Sequence, residues 1–208
     1  MGQRFHRAAG FVLALSAVCL LIATVPLDFW PTPRPGDSYV FDPPLFSAIW
    51  VQRTLIPVLV MCANVLFLIG LSALFRRDSA SMSHLQRVFG FASLVGTGIC
   101  VLGTLLFTTA GPNDIGTELT ALLVLALSFG LIFSGLIGWG AGYLRSGELR
   151  LGAALTGVPV FIGVYFGLSL AGIELPSGGG LLLSTPPSLM ALVVGYDLWV
   201  DDNASDTG

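Results

Sequence analysis

Long uncharged runs alternate with short polar segments along the whole chain. The clearest run, Thr54 to Phe75, has 22 residues without a charge and ends at the paired Arg76 and Arg77. At about 1.5 Å per helical residue it is roughly 33 Å long, which matches the ~30 Å hydrocarbon core of a bilayer. Because runs of similar length recur, the pattern predicts an all-α, polytopic integral membrane protein built as a six-helix transmembrane bundle.

The predicted spans cover residues 8–27, 50–75, 88–110, 119–144, 151–173 and 179–199. The whole chain, 1–208, is thus predicted to be a single transmembrane domain, with 200–208 a short acidic tail. Five prolines make most of 28–47 a loop, because proline cannot donate a helical hydrogen bond. In the last span, Pro186 and Pro187 leave two alternatives open: a kinked helix, or a broken or re-entrant element over 178–185.

The distribution of arginine predicts the orientation of the spans. Seven of the nine arginines flank the spans on one side, and only Arg34 and Arg53 lie on the other. Because basic residues favour the cytoplasmic side, both termini are predicted to be cytoplasmic in a cell membrane. The first, third and fifth spans each begin just after an arginine, which leaves open an arrangement of three hairpins of like orientation.

Composition and charge exclude several functional classes. The chain is 54% hydrophobic and 10% charged, against roughly 25% charged in a soluble domain. A net charge of −3 gives no sign of nucleic-acid binding. The chain has no lysine, which excludes a retinal Schiff base and a P-loop lysine, and both histidines, His6 and His84, lie outside the predicted spans. No catalytic residue, metal site or cofactor is predicted.

Small residues at helical spacing predict tight packing in the second half of the chain. They are Gly130, Ser134, Gly138 and Gly142 in the fourth span and Gly163 and Gly167 in the fifth. Such stripes let helix backbones approach closely in lipid, where burial of apolar surface gives little drive for association. A helix–helix seam is the expected structure, and a sliding surface in a transporter is the alternative.

Four polar residues lie at the outer ends of the second and fourth spans. They are Gln52, Arg53, Asp114 and Glu118. An ionisable residue at the membrane edge usually has a partner, so Arg53 is predicted to pair with Glu118, with Asp114 as the substitute. The pair would form an outward polar vestibule. The alternative is that both side chains snorkel into the headgroups.

Three cysteines are predicted to lie near one depth of the membrane. They are Cys19, Cys62 and Cys100. A layer of thiols would suit a soft ion such as Cu(I). Free cysteine more often packs as a small hydrophobic side chain, and no Cys-x-x-Cys motif accompanies these residues.

These patterns predict a protein that works in the lipid bilayer without catalysis. The first hypothesis is a structural, assembly or accessory subunit, which associates with other membrane subunits or with itself. The alternative is a small secondary transporter or channel-like carrier with an outward polar vestibule at Arg53 and Glu118. A carrier should have a polar cavity that reaches the midplane, whereas a subunit should have a filled core.

Overall fold

The computed structural model describes residues 2–29, 50–109, 114–172 and 179–204. Six helices in these ranges are long and apolar enough to cross a membrane. They are α1 (Gly2–Phe29), α2 (Ile56–Asp78), α3 (His84–Thr109), α4 (Ile115–Ser146), α5 (Leu149–Leu170) and α6 (Gly179–Ala204). The prediction of an all-helical bundle with six apolar helices is confirmed. Most of the predicted loop 28–47 and the end of the tail lie outside the described residues.

The six helices form a closed ring. Each helix packs against its neighbours along the chain, and α1 also packs against α6. The first two helices run in opposite directions, because Ser16 of α1 donates a hydrogen bond of 2.9 Å to the carbonyl of Ala63 in α2 and the earlier Leu13 lies against the later Gly70. Where the ring closes, the hydroxyls of Thr24 and Ser184 lie 2.9 Å apart. The first and last helices are therefore direct neighbours.

Prolines affect the geometry of two helices, α2 and α6. A π-helical turn, Val51–Leu55, leads into α2, and the amide of Ile56 donates to the carbonyl of Val51. The next residue, Pro57, has no amide hydrogen for the carbonyl of Arg53, so a wider turn is accommodated there. The regular helix begins at Ile56, as a proline in its first turn allows.

The last helix continues through its two prolines. Pro186 and Pro187 lie inside α6, which is one helix from Gly179 to Ala204. Over the described residues 179–204 the helix is therefore continuous, and it does not break at the prolines. The prolines remove the amide donors that would bond the carbonyls of Leu182 and Leu183, but the surrounding turns remain helical.

The seam between α3 and α4 brings two backbones into contact. A Cβ atom built on Gly135 would lie 2.5 Å from the amide nitrogen of Ser93. One built on Gly96 would lie 2.8 Å from the amide nitrogen of Ile132. Neither distance leaves room for a side chain, so glycine is required at both positions.

The seam between α1 and α6, which closes the ring, also brings two backbones into contact at glycines. A Cβ atom on Gly10 of α1 would lie 2.5 Å from the carbonyl oxygen of Gly195 in α6. One on Gly195 would lie 2.8 Å from the carbonyl oxygen of Gly10. The two helices therefore cross at a pair of glycines.

The predicted stripe in α4 forms a seam only in part. Gly138 and Gly142 pack against side chains of α3, but a Cβ atom on Gly130 would meet no atom within 4 Å. Ser134 is exposed, and its hydroxyl donates 2.7 Å to the carbonyl of Gly130. Within this chain, half of the predicted seam therefore faces outwards.

The geometry of an α-helix explains the difference. With 3.6 residues per turn, a four-residue step drifts by about 40°, so Gly130 and Gly142 lie about 120° apart around α4. A seven-residue step drifts by only ~20°. Ser128, Gly135 and Gly142 follow the seven-residue step along the seam, and the first two are buried. Gly138 is one turn from Gly135 and packs against the same helix.

Candidate functional site

A cavity of about 620 Å³ lies inside the ring and is lined by residues of all six helices. Its volume is in the ~300–1,000 Å³ range of small-molecule sites. None of the described residues that line it is charged, and most are aliphatic or aromatic. The cavity thus suits an apolar molecule.

The cavity occupies one half of the bundle. Its lining includes Thr24 near the end of α1, Pro57 near the start of α2 and Phe107 near the end of α3. The opposite half is filled by fully buried side chains, among them Leu13, Leu71, Leu74, Trp139 and Leu155. The cavity is therefore closed towards the end of the bundle that holds the N-terminus.

Hydroxyl groups in the cavity wall have partners within the protein. Thr97 donates 2.9 Å to the carbonyl of Ser93, and Thr104 donates 2.9 Å to the carbonyl of Cys100. Each hydroxyl has a single hydrogen, so a bond to the backbone uses its only donor. These hydroxyls consequently add little polarity to the wall.

Asn64 differs from the other polar residues of the wall. It lies in α2 and carries the one side-chain N–H donor among the described lining residues. No hydrogen bond joins its side-chain amide to another described residue. Nothing in the sequence shows that Asn64 faces a cavity.

The wall formed by α5 is thin. Its buried residues all lie in its first half and end at Pro159, and no residue between 160 and 172 is buried. Phe166 lines the cavity and is also 52% exposed. The predicted packing residues Gly163 and Gly167 lie in the second half of α5, and a Cβ atom on either would meet no atom within 4 Å. A single layer of side chains therefore separates the cavity from the surroundings here.

The predicted vestibule is described only on its α4 side. Asp114 caps α4, accepting hydrogen bonds of 3.1 Å from the amide of Thr117 and 2.6 Å from its hydroxyl, and these lower the pKa of Asp114. Glu118 lies one turn later and is half-buried. The side chains of Gln52 and Arg53 lie outside the described residues. The pairing of Arg53 with Glu118 stays a prediction.

The cysteines do not form a layer of thiols around the cavity. Cys100 is buried in the cavity wall, Cys19 is half-buried and Cys62 is exposed. Across the described ranges, no group of three or more His, Cys, Asp or Glu side chains is placed to hold a metal ion. Cys100 packs as a small hydrophobic side chain would.

A polar cluster at the closed end of the bundle was not foreseen from the sequence. Arg77 donates from Nε to Asp78 Oδ1 (2.6 Å) and from Nη2 to Asp78 Oδ2 (3.1 Å) and Asp197 Oδ2 (2.9 Å). The hydroxyl of Tyr143 also donates to Asp78. The cluster joins α2, α4 and α6, which are alternate members of the ring.

Comparisons of the chain with protein family models, with curated proteins and with solved structures found no match. The ring, the cavity and the polar cluster are therefore interpreted from their physical chemistry. Of these, the cavity is the feature best suited to binding another molecule.

Proposed function

We propose that the protein is a non-catalytic membrane subunit that holds an apolar molecule, or the apolar part of an amphiphile, in its central cavity. The supporting observation is a cavity of about 620 Å³ that residues of all six helices line and that no described charged residue lines. A carrier for a polar solute would need several fixed polar groups along its path. This wall is mostly apolar, and Asn64 is the one side-chain amide among its described residues. The sequence predicts a filled core for a subunit, whereas the bundle holds a cavity. The accessory-subunit hypothesis therefore becomes that of a lipid-holding subunit, in which the lipid fills this space.

The arginine distribution supports an orientation with both termini in the cytoplasm. Reporter fusions at Ser79 and Gly147 are expected to be cytoplasmic, because loops rich in arginine are retained there. A fusion at Asp37, which lies outside the described residues, is expected to be external. An external reporter at Ser79 would contradict this orientation. In the proposed orientation, the cavity lies in the outer half of the cell membrane.

A bulky side chain in the cavity is expected to exclude the ligand. Val60 of α2 lines the cavity. Val60→Trp would fill part of its volume, so labelling of cavity peptides by a diazirine-bearing acyl lipid in proteoliposomes should fall several-fold. The measurement is the yield of crosslinked cavity peptides by mass spectrometry.

The same helix supplies a matched control. Val58 is 42% exposed and is not among the cavity-lining residues. Val58→Trp adds the same side chain at the outer surface and should leave the labelling of cavity peptides unchanged. Equal labelling of Val60→Trp and Val58→Trp, with both proteins eluting as the wild type does, would contradict the proposed function.

A further inference from the structure

The Asn64 amide lies among apolar groups without a partner from the described residues. It lies eight residues after Ile56, or about 12 Å along α2, and so within the depth of an apolar membrane core. An amide in such surroundings loses free energy unless it is hydrogen-bonded. The cavity thus contains a polar position that an occupant can satisfy.

The chemistry of the wall defines what that occupant offers. Thr97 and Thr104 already donate to backbone carbonyls, so neither needs an acceptor from a ligand. Asn64 presents two N–H donors and a carbonyl oxygen. A carbonyl oxygen satisfies the donors, and a hydroxyl group can both accept from Asn64 and donate to it.

The absence of charge among the described lining residues restricts the occupant further. An ionised group in an apolar cavity needs a counter-charge, because its desolvation is otherwise too costly. A phosphate or carboxylate headgroup consequently does not suit the position beside Asn64. A neutral group on an apolar chain does.

We propose that the ligand is a neutral lipid of the bilayer whose single carbonyl or hydroxyl oxygen hydrogen-bonds to Asn64 while its apolar chain fills the cavity. This inference rests on the proposed function of the cavity. It adds the class of ligand and assigns Asn64 as the residue that distinguishes a neutral amphiphile from a plain hydrocarbon.

A competition experiment tests the role of Asn64 in the full-length protein in nanodiscs. A diazirine-bearing hydrocarbon labels the cavity, and a long-chain methyl ketone, the alkane of equal carbon number and the corresponding carboxylate each compete with it. The wild type should bind the ketone about two- to tenfold more tightly than the alkane, as a single net hydrogen bond allows. The ionised carboxylate should compete less well than the ketone.

Variants test which residue causes the preference for the ketone over the alkane. Asn64→Leu keeps a similar side-chain volume without a hydrogen-bonding group, so the ketone and alkane should compete equally while hydrocarbon labelling remains. Thr97→Val should keep the preference for the ketone, because the threonine donor is already used within α3. If Asn64→Leu does not fold, Asn64→Val serves as the second variant.

The possible outcomes separate the inference from the function on which it rests. Equal competition by ketone and alkane in the wild type would overturn the role of Asn64, as would a retained preference in Asn64→Leu or stronger competition by the carboxylate. In those cases hydrocarbon labelling would still support an apolar site. If no probe labels or competes in the wild type, the proposed function itself fails.

Discussion

Gly135→Leu is expected to destabilise the protein by about 3 kcal/mol or more, at the upper end of the overpacking range. A Cβ atom at this position would lie 2.5 Å from the amide nitrogen of Ser93 and 2.8 Å from the carbonyl oxygen of Phe89. Both are backbone atoms of α3, so no side-chain rotation relieves the clash. The helices must instead separate along their seam.

The measurement is the free energy of unfolding in detergent, with Gly130→Leu as the matched control. Both substitutions replace glycine by leucine in α4, so the gain in helix propensity is similar. A Cβ atom on Gly130 has no atom within 4 Å, so that variant should be as stable as the wild type or up to about 1 kcal/mol more stable. Similar stabilities for the two variants would show that the α3–α4 seam is not packed as described.

Arg77→Ala is the substitution with the second-largest expected effect. It removes the cation shared by Asp78 and Asp197 and leaves both carboxylates without it. Breaking an exposed ion pair costs up to ~1 kcal/mol, and breaking a buried one costs ~3–5 kcal/mol. The side chains of Arg77 and Asp78 are 18% and 16% exposed, so we expect a cost between these limits.

The neighbouring arginine is the control. Arg76→Ala removes the same charge from the same last turn of α2, so its effect on the orientation of the helices should be the same, but Arg76 is exposed. Its unfolding free energy should stay within about 0.5 kcal/mol of the wild type. If the two variants lose stability equally, the cluster does not hold α2 to α6. Circular dichroism in a denaturant series would measure both.

The positions of the helices could be predicted from the sequence because the bilayer imposes a minimum length on each span. The neighbours of each helix could not be predicted, because apolar residues cover all sides of these helices and leave no amphipathic face. The cavity depends on those neighbours. Asn64 could not be assigned to it without knowing that α2 turns this residue towards the centre of the ring.

Among the polar residues, contacts between near neighbours in the sequence can be predicted, whereas contacts between distant residues cannot. Asp114 is recognisable as a helix cap because its partner, Thr117, is three residues away. Arg77 and Asp197 are 120 positions apart, and nothing in the sequence distinguishes Arg77 from Arg76. Pairings of this kind follow from the ring and are found only once the ring is known.

The contact between α1 and α6 has a consequence for biosynthesis. The wall of the cavity is incomplete until the last helix has left the ribosome, because Gly195 and Ser184 meet Gly10 and Thr24 only then. Before that point, the first five helices can form only an open trough within the bilayer. A lipid can therefore enter the trough from the bilayer before α6 packs against α1, without passing between helices of the finished ring.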